Sequence, residues 1–503
     1  MDWSDIAETT LLTLYSILLV LVSTYGFHRY VLVYLYYRHR RNVPKQAGEF
    51  AELPHVTIQL PMYNERSVAR RIIEKTCEID YPREKLQIQV LDDSTDDTVQ
   101  IASAAVEAAR AKGIDIEYIH RDDRTGFKAG ALANGMKSTK GEFISIFDAD
   151  FIPDPTYLKR SIQYFTDPKV CAVQTRWEHL NRDDSMLTRS QAIFLDGHFA
   201  IEHVARNRSD RFMSFNGTAG TWRRRAIDES GGWQHDTLTE DLDLSYRAQL
   251  LGWKFVFLPD LTAPAELPPE MNGFKAQQFR WTKGGTQVAI KLLPRVMLSK
   301  APLKVKIEAF FHLTNFTMHL YMMVLVLLLF PTMYLKMTSG TATHLWQAIF
   351  DISVFMLATM SAGVFYTAGQ YELFGDWKTC VKYMGFIMAL GVGMSVSNAK
   401  AVMEALLGRK SDFVRTPKYG EGRQITEIAG KKRKRNYLPY VEFALGVYFA
   451  ACTIWAIMDL RTMGTAVFLV MFTVGFFYVS ILSFLGERQA KLAKQPKAVK
   501  VQA

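Results

Sequence analysis

Phe143-Ile144-Ser145-Ile146-Phe147-Asp148-Ala149-Asp150 is the stretch on which the fold turns. Its aromatic and β-branched run reads as a strand, and two carboxylates follow the strand's end at once. Outward from it, Val56–Leu60, Leu86–Leu91, Ile116–Ile119 and Ala172–Thr175 read as further strands. The helical stretches Val68–Glu78, Thr98–Ala111 and Lys128–Lys137 separate them. Alternation of this kind predicts a mostly parallel, doubly wound α/β sheet. Such sheets bind ligands beyond the carboxyl ends of their strands, and those ends carry Pro61-Met62-Tyr63-Asn64-Glu65, Asp92-Asp93-Ser94 and Asp148-Ala149-Asp150. Neither GxGxxG nor GxxxxGK[ST] occurs, so the dinucleotide and P-loop readings lose their main support.

Paired carboxylates at a strand end suit Mg²⁺ or Mn²⁺, which typically takes one or two protein oxygens and fills its shell with phosphate and water. The bland alternative for Asp148-x-Asp150 is a turn or helix cap. Thr239-Glu240-Asp241 precedes the helical stretch Leu242–Leu251, which leaves two readings open. Either Thr239 caps the helix, or Asp241 is a general base within reach of a substrate hydroxyl. Gln277-Gln278-Phe279-Arg280-Trp281 lies in an amphipathic basic stretch from Glu270 to Lys300. There an Arg that grips diphosphate and an indole that stacks on a sugar compete with a plain interfacial anchor.

The 503 residues carry 60 Lys+Arg against 50 Asp+Glu, a formal charge of +10, with 49% hydrophobic residues. Disorder and a small disulfide scaffold are thereby excluded. A mean hydropathy of −0.02 averages a polar territory, 44–300, with apolar flanks. Cys77, Cys171, Cys380 and Cys452 lie far apart and read as free core thiols in a reducing compartment. Basic residues gather beside apolar segments, at Arg38, Arg40, Arg41 and Lys45, in Lys431–Arg435 and in the tail from Lys491, so a membrane surface fits them better than nucleic acid.

Leu11–Tyr37 exceeds the roughly 20 residues needed to span a bilayer. Flanked by acids before and Arg38-His39-Arg40-Arg41 after, it reads as an uncleaved anchor with residue 44 onward in the cytosol, at the inner membrane. Further spans are expected at 309–335, 345–370, 438–458 and 462–485. The run 383–397 is expected to fall short and lie in the interface, giving five spans. The layout is then an anchor over 1–43, a cytosolic sheet domain over 44–268 and an amphipathic region over 269–304. A transmembrane pair over 305–372, an interfacial helix and loop over 380–437, a second pair over 438–487 and a basic, disordered tail over 488–503 complete it.

Taken in order, Asp92-Asp93-Ser94, Asp148-Ala149-Asp150, Thr239-Glu240-Asp241 and Gln277-Gln278-x-Arg280-Trp281 resemble the D, DxD, TED and Q(Q/R)xRW series of membrane-embedded family 2 glycosyltransferases, the group of the cellulose, chitin and hyaluronan synthases. Gln59–Glu65, Gln89–Thr95, Lys128–Leu132, Phe215–Gly220 and Gly231-Gly232-Trp233 are similar to the cellulose-synthase-like A and C branches, which make mannan or glucomannan and β-1,4-glucan backbones. The resemblance implies a GT-A-type nucleotide-sugar domain inserted between transmembrane helices. It implies that Tyr63, Glu65 and Asp93 line the base and ribose, that Lys128 lies near the nucleotide-sugar, and that Asp148 and Asp150 hold the diphosphate through Mg²⁺ or Mn²⁺. Asp241 would deprotonate the acceptor, Arg280 would stabilise the leaving diphosphate, and Trp281, with Glu240 and Gln278 beside it, would hold the acceptor sugar.

Phe413-Val414-Arg415-Thr416-Pro417-Lys418 is similar to the FxVTxK gating loop of these synthases, with Arg415 where the family has Val; Phe413, Thr416 and Lys418 carry the match. No carboxy-terminal regulatory domain is expected. The implied activity is inverting transfer of a hexose from UDP-glucose, slightly preferred, or GDP-mannose to a growing polysaccharide. Coupled translocation would pass through the Tyr/Met-rich segments Met318–Met337 and Met356–Tyr371. Accessory export proteins would be natural partners, and nucleic acid would not. The competing readings are a glucosyltransferase acting on ceramide or diacylglycerol, and a non-catalytic scaffold or transporter.

Overall fold

Five strands form where the aromatic and β-branched runs predict them; the computed structural model describes residues 3–338, 344–410, 436–458 and 465–493. The strands are β1 (Val56–Met62), β2 (Leu86–Asp92), β3 (Ile116–His120), β4 (Phe143–Ile146), β5 (Val170–His179), β6 (Gly220–Arg223) and β7 (Lys254–Ala265). One sheet holds them in the order β3-β2-β1-β4-β6-β5-β7. All neighbours are parallel except β6, which runs antiparallel to both β4 and β5. β6 and β7 were not among the expected strands. β6 is only four residues long, and β7 is interrupted by Pro259 and Pro264, so neither offers a clean period-two run.

Successive residues of a strand face opposite ways, and here the two faces bury different partners. Phe143 joins Ile58, Leu60 and Val90 on one face, while Ile144 and Ile146 join Trp222 and Phe257 on the other. That second core also takes in Leu32, Leu35 and Tyr36 from the helix Trp3–His39, and Phe365 and Ala368 from the helix His344–Phe374. Ends of two long apolar helices are thus part of the sheet's own hydrophobic core. Tyr36 and Arg40 both donate to Glu372, at 2.8 and 3.0 Å.

Three ion pairs, each with a buried cation, add to this joint. On the helix Met271–Leu298, Lys275 Nζ lies 2.6 Å from Glu442 of the helix Leu438–Ile457. Lys283 Nζ lies 2.8 Å from Glu404 of the helix Ser395–Leu406. Arg206 meets Glu308 at 2.9 Å, and the same carboxylate reaches His28 of the anchor at 3.1 Å. Charges taken this far from water persist only when paired.

Five segments among the described residues are long and apolar enough to cross a membrane: Ile6–His39, Leu303–Leu335, Trp377–Leu406, Leu438–Ile457 and Ala466–Gln489. The expectation that 383–397 falls short is thereby corrected. Its helix starts at Trp377, runs to Gly393 and resumes after Met394 as Ser395–Leu406, so the apolar character extends over 30 residues. The expected span 345–370 lies in His344–Phe374, a helix of 31 residues. All four cysteines are free, with only Cys77 less than fully buried. The gating-type stretch with Phe413, Thr416 and Lys418 lies outside the described residues.

Candidate active site

The acidic groups after β1, β2 and β4 owe their places to strand ends. After β1, Asn64 adopts a left-handed backbone (φ 55°), which Asn tolerates better than most residues. Its amide donates to Ser94 Oγ at 2.7 Å, and Thr95 N–H returns a bond to Asn64 Oδ1 at 2.8 Å. The β1 and β2 loops are stitched together. Asp92, wholly buried, accepts from Ser94 N–H at 2.9 Å and Tyr118 OH at 2.6 Å, so it shapes the loop. Asp93 lines the cleft instead, gripped bidentately by Arg121 at 2.8 and 2.5 Å. Opposite it, the Arg124 guanidinium covers the Tyr63 ring at 3.3 Å.

Beyond β4, the Asp148 amide donates to Thr218 Oγ1 at 2.8 Å, which ties the Asp148-Ala149-Asp150 turn to the loop before β6. Lys128 Nζ bridges the two, 2.5 Å from Asp148 Oδ1 and 2.9 Å from the Gly217 carbonyl. Gly217 has φ +81°, and a Cβ there would sit 2.9 Å from Asp241 Oδ2 and 3.4 Å from Lys128 Nζ. Only glycine lets backbone, carboxylate and ammonium converge so closely. Asp241 opens the helix Glu240–Leu250 and accepts the Leu242 amide at Oδ1, 2.8 Å, which leaves Oδ2 turned to the Gly217 side. Thr239 makes no side-chain cap; it packs against Gly284 instead.

One cleft therefore collects Tyr63, Glu65, Asp93, Lys128, Asp148, Asp150, Glu240, Asp241, Arg280 and Trp281. Gln278 is the exception. On the helix Met271–Leu298, Gln277, Arg280 and Trp281 stand at i, i+3 and i+4 and share the face that lines the cleft, whereas Gln278 is turned about 100° from Gln277 and does not line it. The structure thus puts Gln277 into the cleft where Gln278 was expected. Arg121, Arg124, Trp177 and His179 were missed on sequence; of these, Arg121 alone could have been found, as the cation just past the end of β3.

Electrostatically the cleft is acid-rich. Burial, then the neighbouring Glu240 carboxylate, raises Asp241 to about 7, and burial likewise raises Glu240 against the pull of Lys128. Burial opposes the charge on Lys128, yet Asp148 and Glu240 outweigh it and raise its pKa. Burial lowers Arg280, with Glu240 and Asp148 resisting. Around Asp241, the carboxylates of Asp148, Asp150 and Glu240 thus face the cations of Lys128 and Arg280, and the excess negative charge fits a divalent cation. Among the described residues no group of three or more His, Cys, Asp or Glu could cage a metal. Two carboxylates, Asp148 and Asp150, match an ion that draws the rest of its shell from phosphate and water.

Residues 54–284 match the family described as Glycosyltransferase like family 2. The chain is 44% identical over 254 residues to a probable glucomannan 4-beta-mannosyltransferase 7 of Oryza sativa subsp. japonica, covering 50% of this chain and 43% of that protein. It is 33% identical over 413 residues to a probable glucomannan 4-beta-mannosyltransferase 15 of Arabidopsis thaliana, covering 79% and 73%. In the first of these matches the chain spans about half the length of the curated relatives. A mannosyltransferase from Pyrobaculum calidifontis, solved with GDP-Man and Mn²⁺, shares the fold with a TM-score of 0.54 at 20% identity, over 79% of this chain and 100% of that one.

Proposed function

The chain belongs to glycosyltransferase family 2, and on that premise we propose that it is an inverting β-mannosyltransferase that extends a mannan or glucomannan chain from GDP-mannose. The relatives' glucomannan mannosyl specificity moves the donor from the UDP-glucose slightly preferred on sequence to GDP-mannose. One observation carries the reading: Asp241 Oδ2, the Lys128–Asp148 pair and Trp281 open onto the same cleft.

From that geometry the chain's groups divide the work. Tyr63, Glu65 and Asp93 receive the nucleoside, with Arg121 fixing the Asp93 carboxylate. Trp281 holds the acceptor sugar against its indole face, and Glu240 and Gln277 flank it. Asp241 takes the acceptor hydroxyl proton at Oδ2, because Leu242 N–H occupies Oδ1. Its pKa of about 7 sits near the working pH, where a general base is most effective. The deprotonated hydroxyl attacks the anomeric carbon from the face opposite the diphosphate, so an α-linked donor gives a β-glycoside. Arg280 and Lys128 place positive charge where the diphosphate departs. Asp148 and Asp150 would hold Mg²⁺ or Mn²⁺, which when bound neutralises the leaving diphosphate.

The basic run Arg38-His39-Arg40-Arg41 favours a cell-membrane protein with this cleft on the cytosolic side, handing the product to the membrane helices for export. Full-length protein in nanodiscs, given radiolabelled GDP-mannose or UDP-glucose with Mn²⁺, tests the reading. Mannanase-sensitive polymer from GDP-mannose is the expected product. Label extracted only with lipid, or incorporated only from UDP-glucose, would overturn it.

A further inference from the structure

In the same cleft, β5 ends in Trp177-Glu178-His179. Residues two apart on a strand share a face, and Trp177 and His179 both line the cleft beside Trp281 and Leu195. Trp177 stands with its ring centroid 6.4 Å from that of Trp281, tilted by 52°, and is held in place by Phe151 and Phe199, each at 5.3 Å. The wall is therefore rigid and aromatic. Yet it contains two buried polar atoms, Trp177 Nε1 and His179 Nε2, for which the described residues supply no hydrogen-bond partner. His179 is only 8% exposed. Buried polar groups in native proteins are almost always satisfied, and those in a ligand cleft are satisfied when the ligand arrives.

The chemistry of the wall specifies that ligand. Burial, then the nearby Arg182 and Arg176 cations, drives the imidazole of His179 down to about 3, so it stays neutral and offers hydrogen bonds without charge. A neutral imidazole and an indole N–H beside a flat apolar ring complement a pyranose, with hydroxyls at its edge and C–H groups on its face. They do not suit a phosphate or an acyl chain. We propose that Trp177 and His179 form a second sugar subsite, which holds the penultimate residue of a glycan acceptor behind the terminal one on Trp281. This rests on the acceptor reading of Trp281, and it makes the preferred acceptor an oligosaccharide of at least two units. The donor end is distinct: Tyr63, Arg124 and Asp93 define it, and neither Trp177 nor His179 makes a ring or hydrogen-bond contact with them among the described residues.

Direct binding of mannose, mannobiose and mannotetraose to the full-length protein in nanodiscs, without donor, tests the subsite. Wild type is expected to gain affinity from one to two units and to bind mannotetraose. His179→Phe is expected to weaken mannotetraose binding about tenfold while leaving the thermal midpoint equal or higher, since it removes an unsatisfied buried polar atom. Trp177→Phe, which keeps a ring and deletes the N–H, is the second variant and is expected to flatten the gain from one unit to two. Mannotetraose affinity unchanged in both variants, falling only together with the thermal midpoint, or undetectable in wild type, would overturn the subsite. A wild type that binds mannotetraose but transfers sugar from no nucleotide donor would sink the transferase reading and leave the subsite standing.

Discussion

Asp241 combines a cost to folding with the proposed role of general base. Raised from its ordinary 3.8 to about 7, its carboxyl holds a proton more firmly folded than unfolded. The stability it contributes is full below pH 3.8 and is lost as pH rises through about 7. In metal-free protein, Asp241→Asn is therefore expected to raise the thermal midpoint at pH 8 and leave it unchanged near pH 3.5, as read by differential scanning fluorimetry. The same variant should lose transfer by about 10²–10⁴-fold. Gly217→Ala separates position from chemistry. Its new methyl would meet Asp241 Oδ2 at 2.9 Å in a left-handed backbone, so kcat is expected to fall with the donor KM little changed, as steady-state kinetics will show. Of these groups, Asp148 and Asp150 stand out in the sequence as acids at the end of an apolar run, and Asp241 stands out only through the order of the motifs around it. Trp177 and His179 are not, since β7 reaches their side of the cleft only through a pairing some 80 residues away in sequence.

Among elements, the helix Met271–Leu298 links site to membrane. One face carries Gln277, Arg280 and Trp281; Lys275 and Lys283 leave it buried toward other helices. Removing one partner of a buried pair leaves the other charged and unsolvated. Lys275→Met is thus expected to destabilise the protein by about 3–5 kcal/mol, and the double variant Lys275→Met/Glu442→Leu to recover most of that, as measured by thermal midpoints in one detergent. Sequence marked this stretch as amphipathic and basic, which is correct for its composition. Two of its lysines are nonetheless interior, a fact that depends on carboxylates more than a hundred residues downstream. The helix phase that favours Gln277 over Gln278 at the cleft was also hidden, because adjacent glutamines are alike until the helix is built.

For the whole molecule, the alternation of strands and helices was enough to read a mostly parallel sheet, and the apolar runs were enough to read its setting among long helices. What stayed unreadable was the seam between them. Chelation by EDTA is expected to abolish transfer, and Mn²⁺ or Mg²⁺ to restore it, in a radiolabel assay; activity that survives exhaustive chelation would remove Asp148 and Asp150 from the role given them. The seam also limits what engineers can do with this enzyme. A soluble excerpt of 44–300 would discard Glu308, Glu404 and Glu442, which face Arg206, Lys283 and Lys275, and would uncover the sheet face that Leu32, Leu35 and Phe365 occupy. Chimaeras that exchange specificity between relatives will have to transplant globule and helices as one inheritance, cut nowhere along their common boundary.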